Sequence, residues 1–203
     1  MIERPIIFSA PMVRAILEGR KTQTRRVVKP QPADDQWIEE CAGGGWMVVG
    51  DGEPTCATGV WDTREGAYQR QINFPFAPGM RLWVRETFMH EPADYCWEAS
   101  VSIPCRPAST VYRADFPDSK PGEGWKPSIH MPRSLSRILL EVTGVRVERL
   151  QSISYADAIA EGIPSVPGRP DILYAELWEQ IHGPGAWDAN PYVWVVEFKR
   201  IEP

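Results

Sequence analysis

Apolar residues near the N-terminus recur at helical spacing. A short apolar run at residues 6–8 predicts a strand. One helix face follows, formed by Met12, Ala15 and Ile16. Pro11 suits the first turn of this helix, and Gly19 suits its end. Residues 20–26 therefore lie between the end of a helix and the start of a strand.

Alternating apolar and polar residues predict strands in much of the remaining chain. The clearest runs are residues 78–88, 109–115, 138–150 and 192–201. The last is apolar on both faces, which is typical of a strand in the middle of a sheet. Helices are predicted at 155–161, where Ser154 and Asp157 form a capping box, and at 171–182. Five or six strands, three helices and no βαβ order favour an α+β fold built on a small mixed barrel.

Residues 30–77 are the least regular part of the chain. Three consecutive glycines at 43–45 interrupt them, and Trp37, Trp46 and Trp61 are the main apolar anchors. We expect a loop-rich insertion or a hairpin here. A chain of 203 residues suits one domain that carries this insertion.

Positive charge is concentrated in one segment of an acidic chain. The net charge is −5, yet residues 14–29 hold six basic residues and one acidic residue, so the rest of the chain carries −10. A small basic focus suits a compact anionic ligand better than a long nucleic acid, which needs a broad basic surface. A solvated charged face is the alternative explanation.

Other sequence features restrict the class of protein. No apolar run approaches the length that spans a bilayer, and the N-terminal MIERPIIFSAP has no signal-peptide core, so we expect a cytoplasmic protein without a membrane partner. The four cysteines, Cys41, Cys56, Cys96 and Cys105, include no CxxC pair. Idle or buried thiols are therefore favoured over a metal site that they would build with His90, and no metal or cofactor is expected.

Glu86 occupies an unusual position for an acid. The stretch PGMRLWVRETF is a Pro-Gly turn followed by a strand, and alternation places Glu86 on the same face as Leu82 and Val84. A carboxylate in an apolar row needs either a salt bridge to an arginine or a functional reason for burial.

Two stretches carry a resemblance to a known family. Gly19, Lys21, Thr24 and Arg26 resemble the G-x-K-x-x-E-x-R signature of ASCH domains, a branch of the PUA-like superfamily of RNA-associated pseudo-barrels. PGMRLWVRETF resembles the second landmark of that family, a strand that ends in glutamate. The order and separation of the two also match, and residues 80–203 resemble longer ASCH-like proteins of phages and prophages. The resemblance covers essentially the whole chain, least distinctly at 30–77, and implies a PUA-like mixed β pseudo-barrel flanked by about three helices.

The departures from the family pattern are informative. Thr24 stands where the signature usually has glutamate, and Met80 where the second landmark commonly has an acid. A group of bacterial ASCH enzymes that deacetylate acetylcytidine resembles this chain in carrying Lys, Thr and Arg at the same spacing. The resemblance therefore implies a metal-independent amidohydrolase whose catalytic set is Lys21, Thr24 and Glu86.

The chemistry of an exocyclic amide leaves two assignments open. Cleavage needs a nucleophile, a base to take its proton and an acid for the leaving amine. A neutral Lys21 would activate Thr24 while Glu86 protonates the leaving nitrogen or orients Lys21. Alternatively, a charged Lys21 stabilises the oxyanion and Glu86 acts as the base.

A nucleobase also needs flat and polar contacts. The candidates for substrate binding are Arg25, Arg26, Trp83, Tyr112, Trp125 and Ser128. The aromatic members would stack on the base, and the arginines would contact a phosphate or a base edge. Partners are expected to be a modified nucleoside or RNA, while the oligomeric state is left open.

Alternative functions come from other classes. A noncatalytic reader of RNA or of a modified nucleobase is supported by the PUA-like resemblance alone, because a fold does not fix a function. A ribonuclease activity also occurs within the family. A third alternative is a phage structural or assembly factor, because such genes are sometimes given that label. No residue of this sequence supports it.

Overall fold

A computed structural model gives the fold for most of the chain. It describes residues 3–34, 36–40, 46–50, 60–61, 68–72, 76–91, 94–98, 101–106, 108–118, 124–164 and 169–202. The thiols of the four cysteines and the side chain of Trp61 lie outside this description, so the cysteine-based alternatives and that anchor stay predictions.

Helices and strands alternate irregularly along the described ranges. The first half contains β1 (Glu3–Ile7), α1 (Ala10–Leu17), β2 (Gln23–Val27), β3 (Gln36–Glu40), β4 (Trp46–Gly50), β5 (Val60–Trp61), β6 (Tyr68–Ile72), β7 (Arg81–Arg85), β8 (Phe88–Glu91) and β9 (Asp94–Glu98). The second half contains β10 (Val101–Arg106), β11 (Ser109–Tyr112), β12 (Leu139–Arg149), α2 (Tyr155–Ala160), α3 (Pro170–His182) and β13 (Tyr192–Ile201). Short 3-10 helices lie at Arg113–Asp115, Ser128–His130, Arg133–Leu135 and Leu150–Ser152.

A five-stranded sheet in the order β1-β7-β12-β13-β2 organises the molecule. β1 is parallel to β7, and the other neighbours are antiparallel. β12 and β13 pair from Leu139 opposite Ile201 to Arg149 opposite Tyr192, with a register shift between Val142 and Gly144. β13 therefore lies between two strands, which confirms the central position predicted for residues 192–201.

Each face of this sheet covers a separate hydrophobic core. Trp194, Val196 and Phe198 of β13 join the first core, with Leu82 and Val84 of β7. Alternation turns Val193 and Val195 to the second core, beneath α2 and α3. Each fully buried valine contributes roughly 1.5–3 kcal/mol through loss of apolar surface from water. The positions of the two cores therefore decide which side chains of β2 face the first core and which face the second.

The helix boundaries follow local sequence signals. α1 has Pro11 in its first turn and buries Val13, Ala15 and Ile16. The capping box of α2 is present, because Ser154 and Asp157 exchange side chain to backbone hydrogen bonds. Glycines with positive φ follow all three helices, as predicted.

The α+β prediction with three helices is confirmed. The ends of the five-stranded sheet approach each other, since Arg26 Nη2 of β2 donates to the Ile7 carbonyl of β1 over 2.9 Å. Within the described residues this contact is made by a side chain rather than by strand pairing, so barrel closure stays a prediction. No described helix has the length and apolarity needed to cross a bilayer.

The segment at residues 30–77 contains more regular structure than the sequence indicated. Its described parts form a four-stranded sheet in the order β3-β4-β6-β5. Trp46 of β4 packs edge-on against Trp194, with ring centroids 5.9 Å apart. Val48 is buried in the first core. β3 and β4 form an antiparallel pair, as the hairpin alternative would have it, and Trp46 acts as the expected anchor. The sequence did not indicate the further strands because they are short and are separated by stretches that contain glycine.

We predict that Asp157→Asn lowers the free energy of unfolding in a pH-dependent way. Burial alone would raise the pKa of Asp157, but hydrogen bonds from Ser154 and Gln23 and the charge of Arg25 lower it to about 2, against an ordinary value of 3.8. The ionised carboxylate therefore stabilises the fold above pH 4, and this contribution disappears as the pH falls from about 4 to about 2. Allowing for screening by water, the difference from the wild type should be about 1 kcal/mol at pH 6.

Denaturant unfolding at pH 6, 4, 3 and 2 measures this difference. Asp118→Asn, at an exposed position, is the matched control and should unfold like the wild type. A gap between wild type and Asp157→Asn that is equally large at pH 2 and pH 6 would contradict the assignment.

Candidate functional site

The turn between α1 and β2 positions Lys21 between two helix ends. The N–H groups of Arg20 and Lys21 both donate to the Ala15 carbonyl, over 2.9 and 3.0 Å. The Thr22 N–H donates to the Ala160 carbonyl over 2.8 Å, at the C-terminal end of α2. The side chain of Lys21 consequently reaches the last residues of α2.

Lys21 forms a buried ion pair with Glu161. Its Nζ donates to the Glu161 carbonyl over 2.8 Å and to Oε2 over 2.7 Å. The two side chains are 0% and 3% exposed. Burial lowers the pKa of Lys21, because the ammonium loses its water, while the charge and hydrogen bond of Glu161 oppose this change.

Glu161 caps the C-terminal end of α2, an unfavourable place for an isolated carboxylate. That end of a helix carries partial negative charge and attracts cations rather than anions. Lys21 and Arg25 supply the compensation, the latter through Nη1 at 3.2 Å from Oε1. Both carboxylate oxygens of Glu161 are therefore bound by cations.

Arg25 ties β2 to β12 and α2. Its side chain is fully buried, and its Nη2 lies 2.5 Å from Glu148 and 3.6 Å from Asp157. The sequence suggested that Arg25 contacts substrate, whereas the structure engages its terminal nitrogens in ion pairs with three carboxylates. Its Nε is buried and has no hydrogen-bond partner.

A cavity of about 70 Å³ lies beside this ion-pair network. Thr24, Arg25 and Arg26 line it from β2, and Tyr174, Trp178 and His182 line it from α3. Burial and the nearby charge of Arg26 lower the pKa of His182. The His182 ring packs on Trp178 with centroids 4.1 Å apart. Thr24 and Arg26, both predicted from the sequence, thus reach one hollow together.

Glu86 belongs to a second cluster of charged residues. It follows β7, is 1% exposed, and accepts from Arg137 Nε at 2.9 Å and Nη2 at 3.1 Å. Arg137 also bridges to Asp115 and lies 4.0 Å above the Tyr112 ring centroid. Burial raises the pKa of Glu86, and Arg137 opposes this. The apolar row expected from alternation is present, and its acid has an arginine partner.

The other predicted binding residues lie in neither ion-pair cluster, except Tyr112. The Tyr112 hydroxyl donates to the Leu135 carbonyl over 3.0 Å, and its ring is covered by Arg137. Trp83 packs beneath Arg85, with the guanidinium carbon 5.2 Å from the ring centroid. Trp125 lies beside Phe116, and its buried Nε1 has no hydrogen-bond partner. Ser128 begins a short 3-10 helix and is half-buried.

Phe8 contacts residues of the first cluster through its ring and the end of β7 through its backbone. Its N–H donates to the Arg85 carbonyl over 3.3 Å, next to Glu86. Its ring centroid is 5.6 Å from Lys21 Nζ and 5.5 Å from the Arg26 guanidinium carbon. Lys21 and Glu86 bind different partners, Glu161 and Arg137.

Three important residues were missed in the sequence. Glu161 carried a weak signal, since an acid directly before a helix-ending glycine opposes the helix dipole. Arg137 carried none, because nothing local links it to Glu86, 51 residues away. His182 follows Trp178 by one helical turn, a spacing that only indicates a shared face.

Known proteins add no further information about this site. Comparisons with protein-family models, curated proteins and solved structures found no match. The resemblance to ASCH domains therefore rests on the amino-acid sequence alone. Within the described residues, no three His, Cys, Asp or Glu side chains converge as a metal site.

We predict that Gly162→Ala destabilises the protein more than Gly19→Ala. Both glycines have positive φ, 95° and 76°. A Cβ on Gly162 would lie 3.0 Å from Ala15 Cβ and 3.2 Å from Lys21 Cβ, whereas a Cβ on Gly19 meets nothing within 4 Å. Backbone strain and crowding together should cost about 2–5 kcal/mol at Gly162, against about 1–2 kcal/mol at Gly19. Chemical denaturation measures both, and equal losses would refute the close approach of α2 to Lys21.

Proposed function

We propose that the protein is an amidohydrolase that removes an acyl group from the exocyclic amine of a modified cytidine-type nucleoside. The observation that carries the proposal is the placement of Thr24 on a cavity wall, beside the buried pair of Lys21 and Glu161. The motif resemblance supplies the reaction class. The support from the structure is the hydroxyl of Thr24 at the cavity, together with an amine, Lys21, and a carboxyl group, Glu86, whose pKa values are shifted by burial.

The reaction proceeds through an ester in this proposal. The Thr24 hydroxyl oxygen forms a bond to the acyl carbon, and Lys21 accepts the hydroxyl proton. The bond from carbon to the exocyclic nitrogen then breaks. The resemblance assigns the proton for the departing amine to Glu86, which lies in the second cluster and not among the described residues that line the cavity. Water hydrolyses the threonine ester, which releases the carboxylic acid and restores the hydroxyl.

The environments of Lys21 and Glu86 support this assignment over the reverse one. Burial lowers the pKa of Lys21, so its neutral, proton-accepting form is more accessible than in water. Burial raises the pKa of Glu86, so its protonated form is more accessible. The directions of the two shifts fit a base at Lys21 and an acid at Glu86.

A noncatalytic reader of a modified nucleobase is the second candidate. The ion pairs of Lys21 with Glu161 and of Glu86 with Arg137 favour it, because both pairs hold their charged forms in place. Arg26 adds to this case, since within the described part of the chain its guanidinium contacts carbonyls and the Phe8 ring rather than a carboxylate. Such a cation is available to a ligand.

We predict that Thr24→Ala, Lys21→Ala and Glu86→Gln each reduce acetate release from acetylcytidine by about 10²–10⁴-fold. Each substitution removes a group that either forms the ester or transfers a proton in the proposed reaction. Mass spectrometry of a panel of acylated nucleosides and short RNAs measures turnover. Thr22→Ala is the matched control for Thr24→Ala, because Thr22 is exposed and its backbone contacts survive the change.

The outcomes separate the two candidates. A hydrolase loses turnover in the three variants, keeps it in Thr22→Ala, and retains nucleoside binding in Thr24→Ala. A reader binds a modified nucleoside and shows no turnover in any form. Wild-type turnover in both Lys21→Ala and Glu86→Gln would exclude the catalytic assignment.

A further inference from the structure

His182 lines the same cavity as Thr24. It is the last residue of α3, and the two side chains reach the cavity from opposite elements, the helix and β2. The imidazole packs on the Trp178 ring, with centroids 4.1 Å apart and ring planes tilted by 33°. Within the described residues, neither nitrogen of the imidazole has a hydrogen-bond partner. The side chain is also exposed, so water from the solvent reaches it.

The cavity offers few groups that can accept a proton from water. Lys21 and Glu86 are not among the described residues that line it. Glu161 lines it, but cations bind both of its carboxylate oxygens. Burial raises the pKa of Tyr174 well above its ordinary value of 10.0, so its hydroxyl keeps its proton. The arginines of the wall are always protonated. Among the described lining residues, the imidazole of His182 is therefore the base that is left.

The surroundings of the imidazole favour a neutral ring that can still take up a proton. Burial and the charges of Arg26 and Lys29 lower the pKa of His182 below its ordinary value of 6.5. The ring is therefore neutral at pH 7. Two features stabilise the imidazolium that forms when a proton arrives. The C-terminal end of a helix carries partial negative charge, and the face of the Trp178 ring attracts a cation.

The proposed reaction contains a step to which no base has been assigned. After the amide bond is cleaved, the acyl group is held on Thr24 as an ester, which water has to attack. Water is a weak nucleophile near neutral pH unless a base takes its proton in the transition state. The Thr24 oxygen must also recover a proton when the ester breaks. A single group beside Thr24 that accepts and then donates a proton meets both needs.

We propose that His182 is the general base for hydrolysis of the Thr24 ester. The water oxygen forms a bond to the acyl carbon while a ring nitrogen of His182 takes a proton from that water. The bond from the acyl carbon to the Thr24 oxygen then breaks, and the imidazolium returns its proton to this oxygen. The carboxylic acid leaves and the enzyme is restored. This inference rests on the proposed function, in which Lys21 and Glu86 act in forming the ester, and it assigns removal of the ester to His182.

Pre-steady-state kinetics of His182→Phe with acetylcytidine tests the assignment. Phenylalanine keeps an aromatic ring beside Trp178 and removes the proton acceptor. Ester hydrolysis should slow by about 10²–10⁴-fold. Cytidine should then appear in a burst equal to the enzyme concentration, and mass spectrometry should find one acetyl group on the peptide that contains Thr24. Slow ester hydrolysis lowers kcat and KM together and leaves kcat/KM unchanged, because this ratio reports only the steps up to ester formation.

Two further variants serve as controls for this experiment. His130→Phe should behave like the wild type, because His130 is exposed and is not among the described residues of the cavity lining. The double variant of Thr24→Ala with His182→Phe should carry no acetyl group, which identifies the residue that holds the ester.

Chemical rescue separates a base from a residue that only supports the fold. His182→Ala leaves space beside Trp178, and imidazole added to the solution should restore ester hydrolysis in this variant in proportion to its concentration. A purely structural residue would instead lower kcat/KM, accumulate no ester and give no response to imidazole.

The outcomes distinguish failure of this inference from failure of the proposed function. Accumulation of the ester in His182→Phe with rescue of His182→Ala would support the role of His182. Hydrolysis of acetylcytidine by the wild type, with no ester in His182→Phe or with wild-type kcat in that variant, would overturn this role and leave the amidohydrolase in place. Absence of hydrolysis of every acylated nucleoside by the wild type would refute the proposed function and this inference together.

Discussion

The carboxylate of Glu161 is shared by two buried cations, and the surrounding architecture depends on this sharing. Lys21 and Arg25 come from one turn and one edge strand, and Glu161 comes from the end of a short helix 140 residues later than Lys21. Two adjacent cations cannot be buried without compensation, and a carboxylate at a helix C-terminus is equally unfavourable alone. Together they hold α2 against β2 and fix the position of Thr24.

The same interaction explains why a cavity persists in an otherwise packed region. Arg25 directs its terminal nitrogens to Glu148, Asp157 and Glu161, the last of which lines the cavity, and leaves Nε without a partner. Buried unsatisfied donors are uncommon in folded proteins and point to a strain reservoir or to a missing ligand. A wall built in this way is organised before any ligand arrives, which lowers the reorganisation needed when charge develops.

Sequence reasoning found the parts of the molecule that local signals encode. Proline and glycine marked the ends of α1, the capping box marked α2, and alternation placed Glu86 beside Leu82 and Val84. The pattern after Gly19 also predicted a strand that begins near Thr24 and continues through Arg26, and both residues lie on β2. These features depend on residues within a few positions of each other, so periodicity and turn chemistry are sufficient to identify them.

Partner choice could not be found in this way. The burial of Glu86 indicated an arginine partner, but the sequence contains many arginines and does not say which one. The fold brings Arg137 to Glu86. Lys21 was expected to face Glu86, but Glu161 binds its Nζ because the turn after α1 packs against the end of α2. For residues 36–72 the sequence left a loop-rich insertion and a hairpin open and did not indicate a four-stranded sheet, since short strands between stretches that contain glycine give weak alternation. Long-range pairing is decided by packing of the two cores, which sequence patterns do not resolve.

A double-mutant cycle on Lys21 and Glu161 tests the central claim most directly. Unfolding free energies are measured for Lys21→Met, Glu161→Met and the double variant. The buried pair predicts a loss of about 3–5 kcal/mol for Glu161→Met, a smaller loss for Lys21→Met because Glu161 keeps Arg25, and a loss for the double variant that is well below the sum of the two single losses. Strictly additive losses would show that the two side chains do not depend on each other, and would contradict the account.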